Sequence, residues 1–398
     1  AVMTVGDGRH RVHRRLVEAE RVTPAADRHD QLLYFTSSSL TRQDEQLVYI
    51  AQRGGQPNLY VLDLARGTER QLTHCEQGIL KSYVYFDGRE NAGLGKASVS
   101  LDAAGGRAYY IDGLSIRCVD LSGRQRALAE LPPDQVTAFT HVSADGRLLC
   151  VPTTDARALE GYERHGHEGN YDIDARVQAE NLNSYLRIFD TGTGEQVACE
   201  RVPRAWITHV QFSPVDRGLL LYNHEWPGDC GIRRMWLWDG QKHVRLRSEG
   251  AGRRREDWAC HEMWQRDGAA IIYHGGYADG PAFVGRVGPD GAGRTEIALP
   301  EAWKRYGHFT EGRPGWLVTD GYYQEADDAA GPGQWISVLR VDWASGEIDW
   351  MPLCRHGSSW DSQDSHPHPI FDHGATSVYF TSDRGGKRAV WRVRAPGV

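Results

Sequence analysis

The chain has 398 residues, 40% hydrophobic and 25% charged, with 13 Trp and 17 Tyr, a globular composition that excludes a disordered chain. A formal net charge of −7 argues against nucleic acid as a partner. No run approaches the ~20 apolar residues of a membrane span, and seven scattered cysteines without a CxxC argue against a disulfide framework and for a reducing compartment.

Along the chain, Ala1 to Arg15 contain no apolar core of a signal peptide, so we expect a cytoplasmic protein. A four-strand phrase then begins: Leu33-Tyr-Phe-Thr, Gln46-Leu-Val-Tyr-Ile, Asn58-Leu-Tyr-Val-Leu-Asp-Leu and Glu69-Arg-Gln-Leu-Thr, with turn residues between. Further copies start near Ser82, Ala138, Thr208, Cys260, Gly307 and His366, with turn signals at Asp145-Gly146, Asp239-Gly240, Asp267-Gly268 and Asp290-Gly291. Units of roughly 40–50 residues are the period of propeller blades. The pattern predicts one all-β domain over residues 1–398, a seven-bladed β-propeller. The last unit is a strand short, and His10–Glu20 is expected to supply it and close the ring, which removes exposed sheet edges. The third unit carries an insertion, Thr154–Asn183, expected to be a surface loop; helix signals are weak throughout.

In a propeller the first strand of each blade lines the central channel, so residues opening successive units converge. His141 opens the third unit, His209 the fourth, His261 the fifth, His308 the sixth, and His366 and His368 the seventh. Histidine at one phase of successive blades points to a shared site, since imidazole is both the commonest metal ligand and a base near neutral pH. In Gln363-Asp-Ser-His366-Pro-His368-Pro an extended backbone turns His366 and His368 the same way, and Gln363 can add a carbonyl oxygen. Arg234, on a third strand, is of the type that clamps carboxylates.

Trp206-Ile-Thr-His209-Val-Gln-Phe-Ser-Pro, Leu-Leu-Leu-Tyr-Asn-His224-Glu, Arg234-Met-Trp-Leu, His261-Glu-Met-Trp, and the Gln363–Phe371 motif with the later Val-Tyr-Phe-Thr-Ser-Asp383-Arg resemble the oligogalacturonate lyase family over nearly the whole chain. The resemblance implies a seven-bladed propeller that cleaves short α-1,4-linked galacturonides by β-elimination with a divalent ion, typically manganese. It implies His308, Gln363, His366 and His368 as metal ligands, His261 as the base and Arg234 as the arginine beside it. Lys81, His209 and Arg234 are the candidates for holding substrate, and Lys81 and Tyr306 the alternatives to His261 as base. The expected partner is an oligosaccharide, with no nucleic acid or membrane. The chain departs from the family after His224, after His308 and in the Thr154–Asn183 insertion. These departures keep open a related lyase acting on another uronide, such as a glucuronate-containing oligosaccharide. A non-catalytic binding propeller is the reading from another class.

Overall fold

The computed structural model describes residues 2–53, 56–75, 94–137, 139–160, 173–225, 234–247, 258–278 and 280–397. Its strands form seven sheets that follow one another along the chain, making a seven-bladed β-propeller. The alternation of side chains along each strand decides how neighbouring blades pack. In the first blade's strand Gln46–Arg53, Leu47, Tyr49 and Ala51 share a buried cluster with Tyr379 and Val390 of the seventh blade. Val48 and Ile50, on the other face, pack with Val99, Leu101 and Tyr110 of the second. Each such Val, Leu or Ile contributes about 1.5–3 kcal/mol through burial, so both faces of a blade hold the ring together.

The innermost strands are His29–Gln31, Ser100–Asp102, Gln135–Val136 with His141–Val142, Val210–Phe212, Trp258–Trp264, Phe309–Arg313 and Ile370–Phe371. The first and second differ from expectation. Leu33–Thr36 is not a strand: the Leu32 N–H is bonded to Thr381 Oγ1 (3.1 Å) and the Leu33 N–H to Ser39 Oγ (3.0 Å), which carries the apolar run across the channel. The second blade opens at Ser100; the expected start at Ser82 lies outside the described residues.

Ring closure also differs in detail. Only Glu20–Arg21 adds to the seventh blade, pairing Glu20 with Arg392 and Arg21 with Trp391. His10–His13 instead runs parallel to Glu347–Arg355, on the outside of the sixth blade, with Val2–Val5 beyond it. That placement buries Val12 beside Ile348 and Trp350 and bonds His10 to both Trp350 Nε1 (3.1 Å) and Ala298 O (3.0 Å). The insertion carries a 3-10 turn, Ala156–Leu159, and a helix, Ile173–Ala179, whose Ile173 and Val177 point one way and enter the core. Among the described residues every cysteine is unpaired, and no helix is long and apolar enough to cross a membrane.

Candidate active site

Several inner strands are interrupted at the same level. In the fifth blade Cys260 pairs with His274 and the register resumes only at Met263–Ile272; His261, between them, has φ +52°. In the seventh, Thr381 N bonds Pro367 O and pairing resumes at Ile370–Tyr379, around His368 with φ +44°. In the first, pairing stops at Gln31–Ile50 and returns as the Leu40–Leu47 bridge. A non-glycine residue at positive φ costs of order 1–3 kcal/mol and persists where surroundings impose it, typically at functional sites. Each blade supplies one side chain to a central cluster, at a break in the first, fifth and seventh: Tyr34, Lys96, Phe139, His209, His261, His308 and His368. Tyr34 OH meets His209 Nε2 at 3.1 Å, and Lys96 Nζ meets His368 Nδ1 at 3.0 Å. Ring centroids are 4.5 Å apart for Phe139–His209, 4.3 Å for His261–His308 and 4.2 Å for His308–His368. Phe35 fills the centre, within 5.7 Å of the rings of His261, His308 and His368.

The ligand nitrogens of His308, His366 and His368 all lie within 4.8 Å of one another, and Nε2 of His308 is 3.1 Å from Nε2 of His368. The fully buried Asp320 fixes this geometry. Its carboxylate accepts from His308 Nδ1 (2.9 Å), from the His308 backbone N–H (2.7 Å) and from the His368 backbone N–H (3.1 Å). A carboxylate behind an imidazole holds the proton on Nδ1 and leaves the Nε2 lone pair for a metal. Nε2 of His368 lies 3.1 Å from that lone pair, with Lys96 Nζ against the other nitrogen of its ring. The donor set therefore fits a divalent transition ion. Gln363 is buried on the turn Gln363–Ser365 that leads into His366, whose N–H its carbonyl accepts (3.4 Å). Trp360, at φ +62°, lies parallel to His308 (5.7 Å, 12°) and 4.4 Å from His366. Burial pushes the Lys96 ammonium down to about 7, against the attraction of Asp364 and Asp320.

His261 is buried beside the trio. Its Nδ1 lies 3.1 Å from Gly307 O and 2.6 Å from His274 Nε2, and His274 in turn meets the Tyr322 hydroxyl. A proton on Nδ1 satisfies the Gly307 carbonyl, so Nε2 carries the lone pair and faces Tyr306 OH at 2.8 Å. Burial, then the neighbouring His308 and His274, push His261 well below the usual imidazole range, which keeps it neutral. Cys260 joins His261 and His274 in a second compact group. Burial pushes that thiol up to about 12, and within the group it is His274 that bonds the His261 ring.

Arg234 is 2% exposed and held by two carboxylates, Glu262 (Nε to Oε2, 2.8 Å) and Glu225 (Nη1 to Oε1, 3.1 Å), with His209 Nδ1 at 3.5 Å. Glu225 also reaches His209 Nδ1 (3.1 Å), and Asn223 Nδ2 lies 2.9 Å from the same nitrogen. The sequence reading sets Arg234 beside His261; after burial, His308 and His274, its charge adds to the lowering of the His261 pKa, while the guanidinium itself is committed to Glu225 and Glu262. His209 is thus bonded on both ring nitrogens. His141 ties Thr36 O (3.2 Å) to the Phe212 N–H (3.1 Å) and lines a cavity of about 580 Å³ at the other end of the channel. Lys81, with His165 and His167, lies outside the described residues. Sequence reasoning missed Tyr34, Lys96, Glu225 and Asp320; only Thr-Asp-Gly at the end of Trp316–Thr319 hinted at the last.

The sequence profile described as oligogalacturonate lyase matches residues 179–398, the half of the chain that holds His209, His261, His308, His366 and His368. The chain belongs to the oligogalacturonate lyase family. It is therefore a lyase. It is 24% identical to the oligogalacturonide lyase of Pectobacterium atrosepticum over 395 residues, covering 91% of this chain and 89% of that protein. It is likewise 24% identical to the oligogalacturonate lyase of Dickeya dadantii over 384 residues, with the same coverage. Among solved structures it superposes on an oligogalacturonate lyase in complex with manganese with a TM-score of 0.75 at 21% identity, covering 100% of this chain and 96% of that one. The oligogalacturonate lyase of Vibrio parahaemolyticus gives a TM-score of 0.73 at 21% identity, with the same coverage.

Proposed function

We propose that this lyase cleaves short α-1,4-linked galacturonides by β-elimination, with manganese held by His308, Gln363, His366 and His368 and with His261 as the base. One observation carries the reading: a buried, neutral imidazole with its Nε2 turned toward the partly exposed Tyr306 stands 4.3 Å, ring to ring, from one of three clustered imidazoles. The manganese-bearing structural relative supports the choice of ion, as does mixed nitrogen and oxygen ligation.

The reaction removes the proton on C5, beside the uronate carboxylate, and expels the oxygen on C4. His261 Nε2 accepts that proton; Gly307 O and His274 hold the opposite edge of the ring so that the lone pair points outward. A positioned base of this kind contributes typically ~10²–10⁴-fold. When bound, the ion supplies Lewis-acid stabilisation of the charge that develops on the carboxylate oxygens. Burial, then His308 and His274, keep His261 in its basic form, and the charge of Arg234 adds to them, while Glu225 and Glu262 keep Arg234 in place. Tyr34, Phe35 and Phe139 close the channel beneath and keep water away, which strengthens each electrostatic contact.

The test is ultraviolet absorbance of the unsaturated uronate formed from galacturonide trimers. His366→Ala and His368→Ala should lose manganese and turnover while retaining the fold. His261→Ala should keep manganese and lose turnover by at least ~10²-fold. Full activity in chelator-treated protein, or near-normal turnover in His261→Ala, overturns the assignment.

A further inference from the structure

His261 Nε2 and Tyr306 OH are 2.8 Å apart. Tyr306 is 37% exposed, whereas the far edge of His261 is sealed by His274 and Gly307. Substrate must therefore reach His261 from the Tyr306 side, where it meets both groups together. The backbone holds the phenol there: a Cβ at Gly307 would come within 2.5 Å of Gly321 Cα, and one at Gly321 within 2.4 Å of Tyr306 O. Two glycine backbones in such contact leave the Tyr306–His308 segment little room to shift. Trp360, 6.4 Å from Tyr306 ring to ring, walls the same mouth.

An acid and a base this close address one face of a sugar ring. In a galacturonide chair the C4 oxygen and the C5 hydrogen are both axial on opposite faces, so elimination is anti and the leaving oxygen points away from the base. In a glucuronide the equatorial C4 oxygen lies on the same side as the C5 hydrogen, and elimination is syn. We infer that His261 and Tyr306 form a same-face acid–base pair that gives this lyase a second activity, syn β-elimination of 4-O-linked glucuronides. The inference rests on His261 being the base.

The step balances without a co-reactant. His261 Nε2 takes the C5 proton, and the C–H electron pair becomes the C4=C5 double bond. The C4–O bond breaks with its electrons on oxygen, and the Tyr306 phenol proton passes to that oxygen. The imidazolium then returns its Nε2 proton to the phenolate across the 2.8 Å contact, restoring both groups. Products are a 4,5-unsaturated uronate and a free hydroxyl on the departing sugar.

The experiment follows unsaturated-uronate absorbance with manganese-loaded protein on two substrates, a β-1,4-linked glucuronic acid trimer and an α-1,4-linked galacturonic acid trimer. The expected result is product from both. Tyr306→Phe should lower kcat/KM on the glucuronide by ~10²-fold or more, and on the galacturonide by a factor at least ~10-fold smaller. Galacturonide cleavage with no glucuronide cleavage by the unmodified protein overturns this inference alone. So do equal losses on both substrates in Tyr306→Phe. Cleavage of neither substrate overturns the proposed base as well.

Discussion

Replacing Asp320 by Asn isolates the carboxylate behind the histidine trio. The amide keeps the shape and removes the charge. Asp320 is fully buried and has donors on both oxygens: His308 N and Nδ1 at 2.7 and 3.1 Å on one, His308 Nδ1 and His368 N at 2.9 and 3.1 Å on the other. Whichever way the amide sits, its NH2 meets an N–H, which costs about 1–3 kcal/mol of stability. The His308 Nδ1 proton also loses its anionic acceptor, so Nε2 becomes a poorer donor to metal. Loss of such support lowers metal affinity ~10–100-fold, about 1.4–2.7 kcal/mol. Calorimetric titration of metal-free protein with manganese reads the affinity directly. Thermal melts with and without manganese read it again, because the stabilisation conferred by a ligand follows its affinity. A lowered melting temperature with manganese affinity unchanged within ~2-fold would refute the reasoning and reduce Asp320 to a core hydrogen-bond acceptor.

Other consequences are equally open to measurement. Arg234→Met strands Glu225 and Glu262 in the interior and should cost about 3–5 kcal/mol in urea unfolding; an unchanged unfolding midpoint with raised KM would make Arg234 a substrate clamp instead. Asp349, 5% exposed, clamps the N-terminal hairpin through Arg11 (2.7 Å) and His13 (3.1 Å). Burial raises its pKa, but hydrogen bonds from Arg11, Arg340 and His13 outweigh that and hold it at about 2. A depressed carboxylate contributes stability that is complete above its unfolded value, near ~4, and is lost as pH falls toward the folded one. The unfolding free energies of the unmodified protein and Asp349→Asn should therefore differ by at most about 2 kcal/mol at neutral pH and converge toward pH ~2; a gap constant with pH would contradict this.

The repeat was legible because strand alternation and turn residues are local, and so was the phase of His209, His261, His308, His366 and His368 at the openings of blades four to seven. The equivalent side chains of the first three blades are Tyr34, Lys96 and Phe139, residue types that pass for ordinary core or surface. What brings His261 and His368 inward is the interruption of their inner strands, seen as positive φ at both and as the register jump from Cys260 to Met263. No propensity marks such a break in advance. The partners of Arg234 were hidden for a related reason: Glu225 and Glu262 come from different blades, and only the folded ring brings them together. At the N-terminus the alternation of His10–His13 was readable, but its choice of the sixth blade depends on Ile348 and Trp350, more than three hundred residues away.

That last placement bears on how the molecule is made. Residues 2–21 are synthesised long before partners they pair with, Ile348–Trp350 and Trp391–Arg392. The first blade waits too, since Asp30 N bonds Arg388 O and Leu32 N bonds Thr381 Oγ1. Until those partners are made, residues 2–21 and the inner strand of the first blade therefore carry unsatisfied strand edges, the kind of surface that pairs with other chains. Closure then joins blades six, seven and one in a single late event spanning most of the sequence, and contacts of that separation fold slowly. The seam that closes the finished ring is thus also the step at which the growing protein is most exposed to aggregation.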